Sequence, residues 1–119
     1  MKGLIVKEPW ITKILQGDKT WEIRSSSTNI RGVIYLIASG TGKVFGSVCL
    51  EDSIEVGIPT LEENKDKHCI EDLSIVKYAR PHAWIISNPK IFKTPIPYKH
   101  PQGAVIWVNI DEASLLSHD

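Results

Sequence analysis

Apolar residues in this chain gather in short runs, and the spacing within each run separates strands from helices. Residues 3–7 form a brief apolar stretch and predict a strand. Pro9 then opens a helix, since proline suits a first turn whose N–H would be unsatisfied anyway. In residues 10–16 the pairs Trp10/Ile14 and Ile11/Leu15 stand four apart and give one apolar face. Gly17 is placed to end that helix with a left-handed residue. Residues 20–24 read as a strand, 25–29 as a polar loop and 33–39 as a near-continuous apolar strand. Ser39-Gly40-Thr41-Gly42 makes a turn, and residues 44–51 return as a strand with Gly46 marking a bulge or sharp bend. Thr60 and Glu63 have capping-box spacing, and Cys69, Leu73 and Val76 continue as a helical stripe that fades at Arg80-Pro81. Residues 83–87, 91–94 and 104–110 predict three more strands, and Asp111 caps a short helix through Leu116.

Six or seven short strands with helices inserted at separate places exclude a doubly wound parallel sheet, which needs regular alternation. The pattern predicts an α+β fold, a mixed and partly closed β-barrel with two or three flanking helices. With 119 residues the chain is long enough for one core, so residues 1–119 are expected to form one domain.

Composition narrows the partners. Hydrophobic residues make up 42% and charged residues 24%, ordinary for a globular protein. Formal net charge is zero, whereas tight non-specific binding to long nucleic acid comes with a strongly basic surface. A nucleic-acid partner must therefore be engaged through a local site, or be as small as a nucleoside. Cys49 and Cys69 lack metal-ligand spacing and lie among apolar residues, which predicts buried free thiols. No apolar run approaches the ~18 residues of a membrane span, and none has the form of a signal peptide. The expectation is a cytoplasmic monomer with no membrane partner, cofactor or metal.

The densest polar cluster beside aromatic groups is Gly17-Asp18-Lys19-Thr20-Trp21-Glu22-Ile23-Arg24. In an extended segment Thr20, Glu22 and Arg24 share one face, while Trp21 and Ile23 share the other. Glu22 then pairs with Arg24, and Lys19, a mobile cation on the turn, leans toward them. The cluster offers an acceptor, a fork of donors and an ammonium. A solvated strand-edge ion pair is the plain alternative. Trp10, Trp21 and Trp84 favour a site, because base–aromatic stacking contributes roughly 1–3 kcal/mol per base; Trp107 is expected in the core.

Gly17-x-Lys19-x-x-Glu22-x-Arg24 resembles the G-x-K-x-x-E-x-R signature of ASCH domains, relatives of PUA domains. Glu8-Pro9-Trp10, Asn29-Ile30-Arg31-Gly32, Ala83-Trp84, Pro95-x-Pro97-Tyr98 and Gln102-Gly103 supply matching context over residues 3–110. The resemblance implies a PUA-like barrel whose cleft, lined by the signature, takes RNA or a modified nucleoside. Some small members resemble amidohydrolases acting on N4-acetylcytidine, and others are assigned ribonuclease activity. In the amidohydrolase pattern a lysine at the Lys19 position activates a threonine three residues later, assisted by a carboxylate from a later helix. Here that third residue is Glu22, which argues against a threonyl ester; Glu71 and Asp72 stand in the region of the assisting carboxylate.

The reading that follows is an RNA- or nucleoside-binding cleft of Trp10, Lys19, Trp21, Glu22, Arg24, Ser39 and Trp84. The alternative is a small hydrolase for N4-acylated cytidine, or a ribonuclease, with Lys19 and Glu22 as catalytic residues. A protein–protein adaptor ranks third. Gly40-Thr41-Gly42-Lys43 lacks P-loop spacing and precedes a strand, so it is a hairpin turn whose Ser39 and Lys43 edge the cleft. His68, His82, His100 and His118 share no metal spacing, though His82 and His100 are near enough to aromatics to meet a base or phosphate.

Overall fold

The computed structural model describes residues 1–116. Its strands are β1 (Lys2–Val6), β2 (Trp21–Arg24), β3 (Gly32–Ala38), β4 (Lys43–Glu55), β5 (His82–Pro97) and β6 (Trp107–Asn109). Its helices are α1 (Trp10–Leu15), α2 (Ile58–Glu63), α3 (Lys65–His68) and α4 (Glu112–Leu116), with a 3-10 turn over Leu73–Ile75. The strands form one mixed sheet in the order β2-β5-β4-β3-β1-β6. Only β1 and β3 run parallel, joined through α1 and β2; the other pairs are antiparallel.

The sheet does not close by backbone hydrogen bonds, but side chains draw its two ends together. Trp84 on β5 stacks on Trp107 on β6 with ring centroids 5.7 Å apart, although three strands separate β5 from β6 in the sheet. Arg24 on the β2 edge donates from Nη2 to the Ile5 carbonyl on β1 at 2.9 Å. The result is a partly closed α+β barrel. Its interior holds Leu4, Ile11, Ile34, Leu36, Leu50 and Trp84, with α1 packed over it. A second cluster joins Trp21 and Ile23 of β2 to Leu61 and Ile70, and a third joins Ile37, Val44 and Ile96 to Ile110 and Leu115.

Two glycines obey the expected local rules. Gly17 takes φ +88° just after α1, the left-handed conformation that ends a helix without a Cβ penalty. At Gly46 the register between β4 and β5 slips, and a Cβ there would overlap the Lys90 carbonyl. The bulge brings the two backbones too close for any side chain.

Elsewhere the structure departs from the pattern. The runs 83–87 and 91–94 are one strand, β5, bent at Asn88, whose φ is +53°, and Pro89. Pro89, Pro95 and Pro97 are tolerated because β2 pairs with β5 only as far as Ile85, with one further bond from the Ile86 N–H to the Thr20 carbonyl, and the prolines lie beyond that pairing. The expected strand over 104–110 shrinks to β6, which pairs only with β1. Thr60 and Glu63 do not form a capping box. Helix α2 starts earlier, at Ile58, with Pro59 in its first turn and no side-chain cap. The stripe Cys69–Leu73–Val76 is not a helix either: α3 ends at His68, and Cys69 takes the left-handed conformation at φ +62°. Asp72 instead caps the 3-10 turn, accepting from the Ser74 N–H at 3.0 Å. Asp111 caps α4, accepting from the Ala113 N–H at 3.0 Å. Both cysteines are free thiols but only half-buried, because each lies at an element end or outer sheet face rather than in a core cluster.

Candidate functional site

Where β2 leaves α1, backbone geometry decides what faces inward. The Gly17 turn hands the chain to Asp18 and Lys19, whose N–H groups both bond the Lys13 carbonyl at 3.0 Å. Thr20 then donates its N–H to Lys67 at the end of α3, at 2.8 Å, fixing the entry to β2. Strand alternation turns Glu22 and Arg24 to one face and Trp21 and Ile23 to the other.

Lys19 is buried, with 2% of its surface exposed, and is held firmly rather than free to swing. Its Nζ donates to the His68 carbonyl at 2.6 Å, lies 3.7 Å from Glu22 Oε1, and stands 5.0 Å above the Trp10 ring. Burial pushes its proton affinity below the ordinary lysine value of 10.5, with the nearby Glu22 carboxylate acting in the opposite direction. His68 is itself fully buried and structural. Its Nδ1 accepts from the Ile70 N–H at 2.9 Å, which places the ring hydrogen on Nε2, facing the Leu61 carbonyl at 2.6 Å.

Glu22 Oε2 accepts a hydrogen bond from Arg24 Nε at 2.9 Å and forms an ion pair with Nη2 at 2.8 Å. With Nη2 also bound to Ile5, the guanidinium is anchored along one edge and its Nη1 has no partner among the described residues. Its plane is supported from below by Trp84, 5.5 Å from ring centroid to Cζ. Lys19, Glu22 and Arg24 line a cleft of about 270 Å³ together with Trp10 and Ser39. Its rim is apolar and open to solvent: Ile75, Tyr78 and Val105 are 53%, 42% and 76% exposed. Exposed apolar side chains gathered around a polar floor are the usual mark of a binding surface.

The remaining candidates are placed elsewhere. Trp21 does not reach the cleft; it is buried in the second core cluster, with the Lys67 ammonium 5.2 Å from its ring. Trp84 is 3% exposed and lies behind the wall, its indole N–H bonded to the Ser26 carbonyl at 2.9 Å. Glu71 and Asp72 are exposed and do not line the cleft. His82 stands opposite Arg24 in the sheet register without lining the cleft, and His118 lies outside the described residues. Among the described residues no three acidic, histidine or cysteine side chains group as a metal site. Nor is any helix long and apolar enough to cross a membrane.

Lys7, Tyr78 and Val105 are cleft residues that spacing did not reveal. Lys7 looked like a strand end, Tyr78 fell within an expected helix, and Val105 within an expected strand. Their signal was an isolated apolar or charged residue in a segment whose periodicity pointed the wrong way.

Comparison with known proteins bears on the whole arrangement. The chain is similar to the ASCH protein from Zymomonas mobilis, at 16% identity over 98% of this chain and 93% of that one, with a TM-score of 0.75. Its serine-to-alanine and tyrosine-to-phenylalanine variants align with TM-scores of 0.73 each. They are 14% and 15% identical, over 98% of this chain and 92% and 94% of theirs. At such identities the likeness establishes the fold. No curated protein matches the chain. The ASCH domain profile matches residues 4–96, which include α1, β2 and the signature from Gly17 to Arg24. The chain belongs to the ASCH domain family.

Proposed function

We propose that this cleft binds RNA or a modified nucleoside, with the base entering between Trp10 and the apolar rim. The observation that carries the reading is the convergence of Lys19, Glu22 and Arg24 on one small cleft walled by an aromatic ring. A nucleobase presents adjacent donors and acceptors on a flat apolar body. Arg24 Nη1 supplies a donor to a base or phosphate oxygen, Glu22 an acceptor, and Trp10 a stacking face. The zero net charge fits recognition of a short or single-stranded ligand rather than of a long duplex. Titrating the protein with ribonucleosides and short single-stranded RNA while following tryptophan fluorescence tests this. Binding should disappear in Lys19→Met and Arg24→Ala, and no response at millimolar ligand would overturn the reading.

One observation favours a second reading, hydrolysis. Burial lowers the proton affinity of Lys19, which suits it to take a proton from water, while Glu22 and Arg24 orient an acylated pyrimidine or a phosphodiester. Incubation with N4-acetylcytidine and with single-stranded RNA, beside Lys19→Met, separates the two. Turnover lost in the variant supports catalysis; binding without turnover supports recognition alone.

A further inference from the structure

The cleft does not end at Ser39. Beyond it lies a second chamber of about 610 Å³, more than twice the size of the first. The two share the wall formed by Ile5, Lys7, Ser39 and Val105, so they are halves of one groove. Resting on the nucleoside reading of the cleft, the geometry points to a second nucleotide site in this chamber. The ligand is then single-stranded RNA of at least two nucleotides, not a free nucleoside.

Three features fit a nucleotide there. The first is an aromatic face. Tyr98 lines the chamber and is locked in place: its hydroxyl bonds His100 Nδ1 at 2.7 Å, and His100 Nε2 bonds the Ala104 carbonyl at 2.9 Å. The two rings meet at 63° with centroids 5.8 Å apart, and Tyr98, half-buried against the third core cluster, turns the rest of its ring to the chamber. The second is charge at the junction. Lys7 is exposed on the shared wall, where the phosphodiester joining the two nucleotides would pass. The third is bare backbone. Gly40 and Gly42 line the far side with φ of +82° and +67°, and a Cβ on either would meet nothing within 4 Å, so a sugar–phosphate can approach the main chain there.

Size also separates the chambers. The first, at about 270 Å³, lies at the lower limit of ligand pockets, roughly 300–1,000 Å³, and suits one base; the second has room for base and ribose.

The test is calorimetric titration with the four ribonucleosides and the homodinucleotides ApA, CpC, GpG and UpU. At least one dinucleotide should bind about tenfold tighter than its own nucleoside, as expected when one further base stacks on an aromatic ring. Tyr98→Leu, which keeps the apolar packing, should remove that gain while the nucleoside affinity stays within twofold. Tyr98→Phe should retain the gain. Lys7→Ala should reduce the salt dependence of dinucleotide binding by a slope of about 0.7, one phosphate contact in a single strand. Dinucleotides that bind no tighter than nucleosides overturn the inference while leaving the cleft reading intact, as does a gain that survives in Tyr98→Leu. If neither class binds, the nucleoside reading fails and the second site fails with it.

Discussion

The Lys19 ammonium lies 2.6 Å from the His68 carbonyl, tying the start of β2 to the end of α3 through a buried positive charge. That contact makes the cleft floor a structural element as well as a chemical one. A buried ammonium is costly unless its donors are satisfied, and here the carbonyl and Glu22 share that role.

The burial of Lys19 gives stability a pH signature. Its folded proton affinity lies below the ordinary value of 10.5, so between the folded value and 10.5 the unfolded chain binds more protons. Stability contributed by this group therefore rises as pH climbs through that window. Urea unfolding of the wild type and Lys19→Met at successive pH values from 7 to 10 should show the difference in stability shifting toward the wild type. A pH-independent difference would show that Lys19 titrates as a free lysine.

Among the described residues Glu22 is the carboxylate that pairs with both Lys19 and Arg24. Glu22→Gln keeps the shape but removes the charge, so it should lower stability by about 2 kcal/mol, the scale of hydrogen bonds to charged groups. Urea denaturation reads the loss. An unchanged midpoint would mean that the ion pair with Arg24 contributes no more than an exposed one.

The stack of Trp84 on Trp107 substitutes for the strand pairing that would close the barrel. Trp84→Phe removes the indole N–H bonded to Ser26 and shrinks the stack, and should destabilise by about 1–3 kcal/mol. The side chain does not line the cleft, so ligand affinity should fall only as far as Arg24 loses its support. Thermal unfolding beside the ligand titration separates the two effects.

Gly46 and Gly40 make a contrasting pair. Gly46→Ala forces a Cβ into the Lys90 carbonyl and should cost about 3 kcal/mol or fail to fold, as overpacking does. Gly40→Ala meets open space and pays only for its left-handed backbone, about 1–2 kcal/mol. Equal losses would contradict the bulge as the reason for Gly46.

The legible parts of this fold are those governed by short-range rules. Strand alternation alone pairs Glu22 with Arg24 and sends Trp21 to the opposite face, while Gly17 announces the end of α1 and Asp111 the start of α4. The segment after β4 was opaque for a physical reason. Leu73 and Val76 pack toward one core from a winding chain and Cys69 only ends α3, so their helical spacing does not mark one helix. Long-range closure was equally hidden. Nothing local to Trp84 or Lys7 reveals that β6 returns beside β1, bringing Trp107 onto Trp84 behind the wall and Val105 to the cleft rim. The burial of Lys19 was hidden too, since its partner is a backbone carbonyl 49 residues away.

The four tryptophans test the central claim most directly, because they occupy distinct places: Trp10 on the cleft wall, Trp84 and Trp107 stacked behind it, Trp21 in another core cluster. In nitrogen-15 labelled protein each gives its own indole N–H signal. On titration with ribonucleosides and short single-stranded RNA, the Trp10 signal should move most and Trp21 least, and Lys19→Met should abolish the response. No indole shift at millimolar ligand, or a largest shift at Trp21, would contradict a binding site in this cleft.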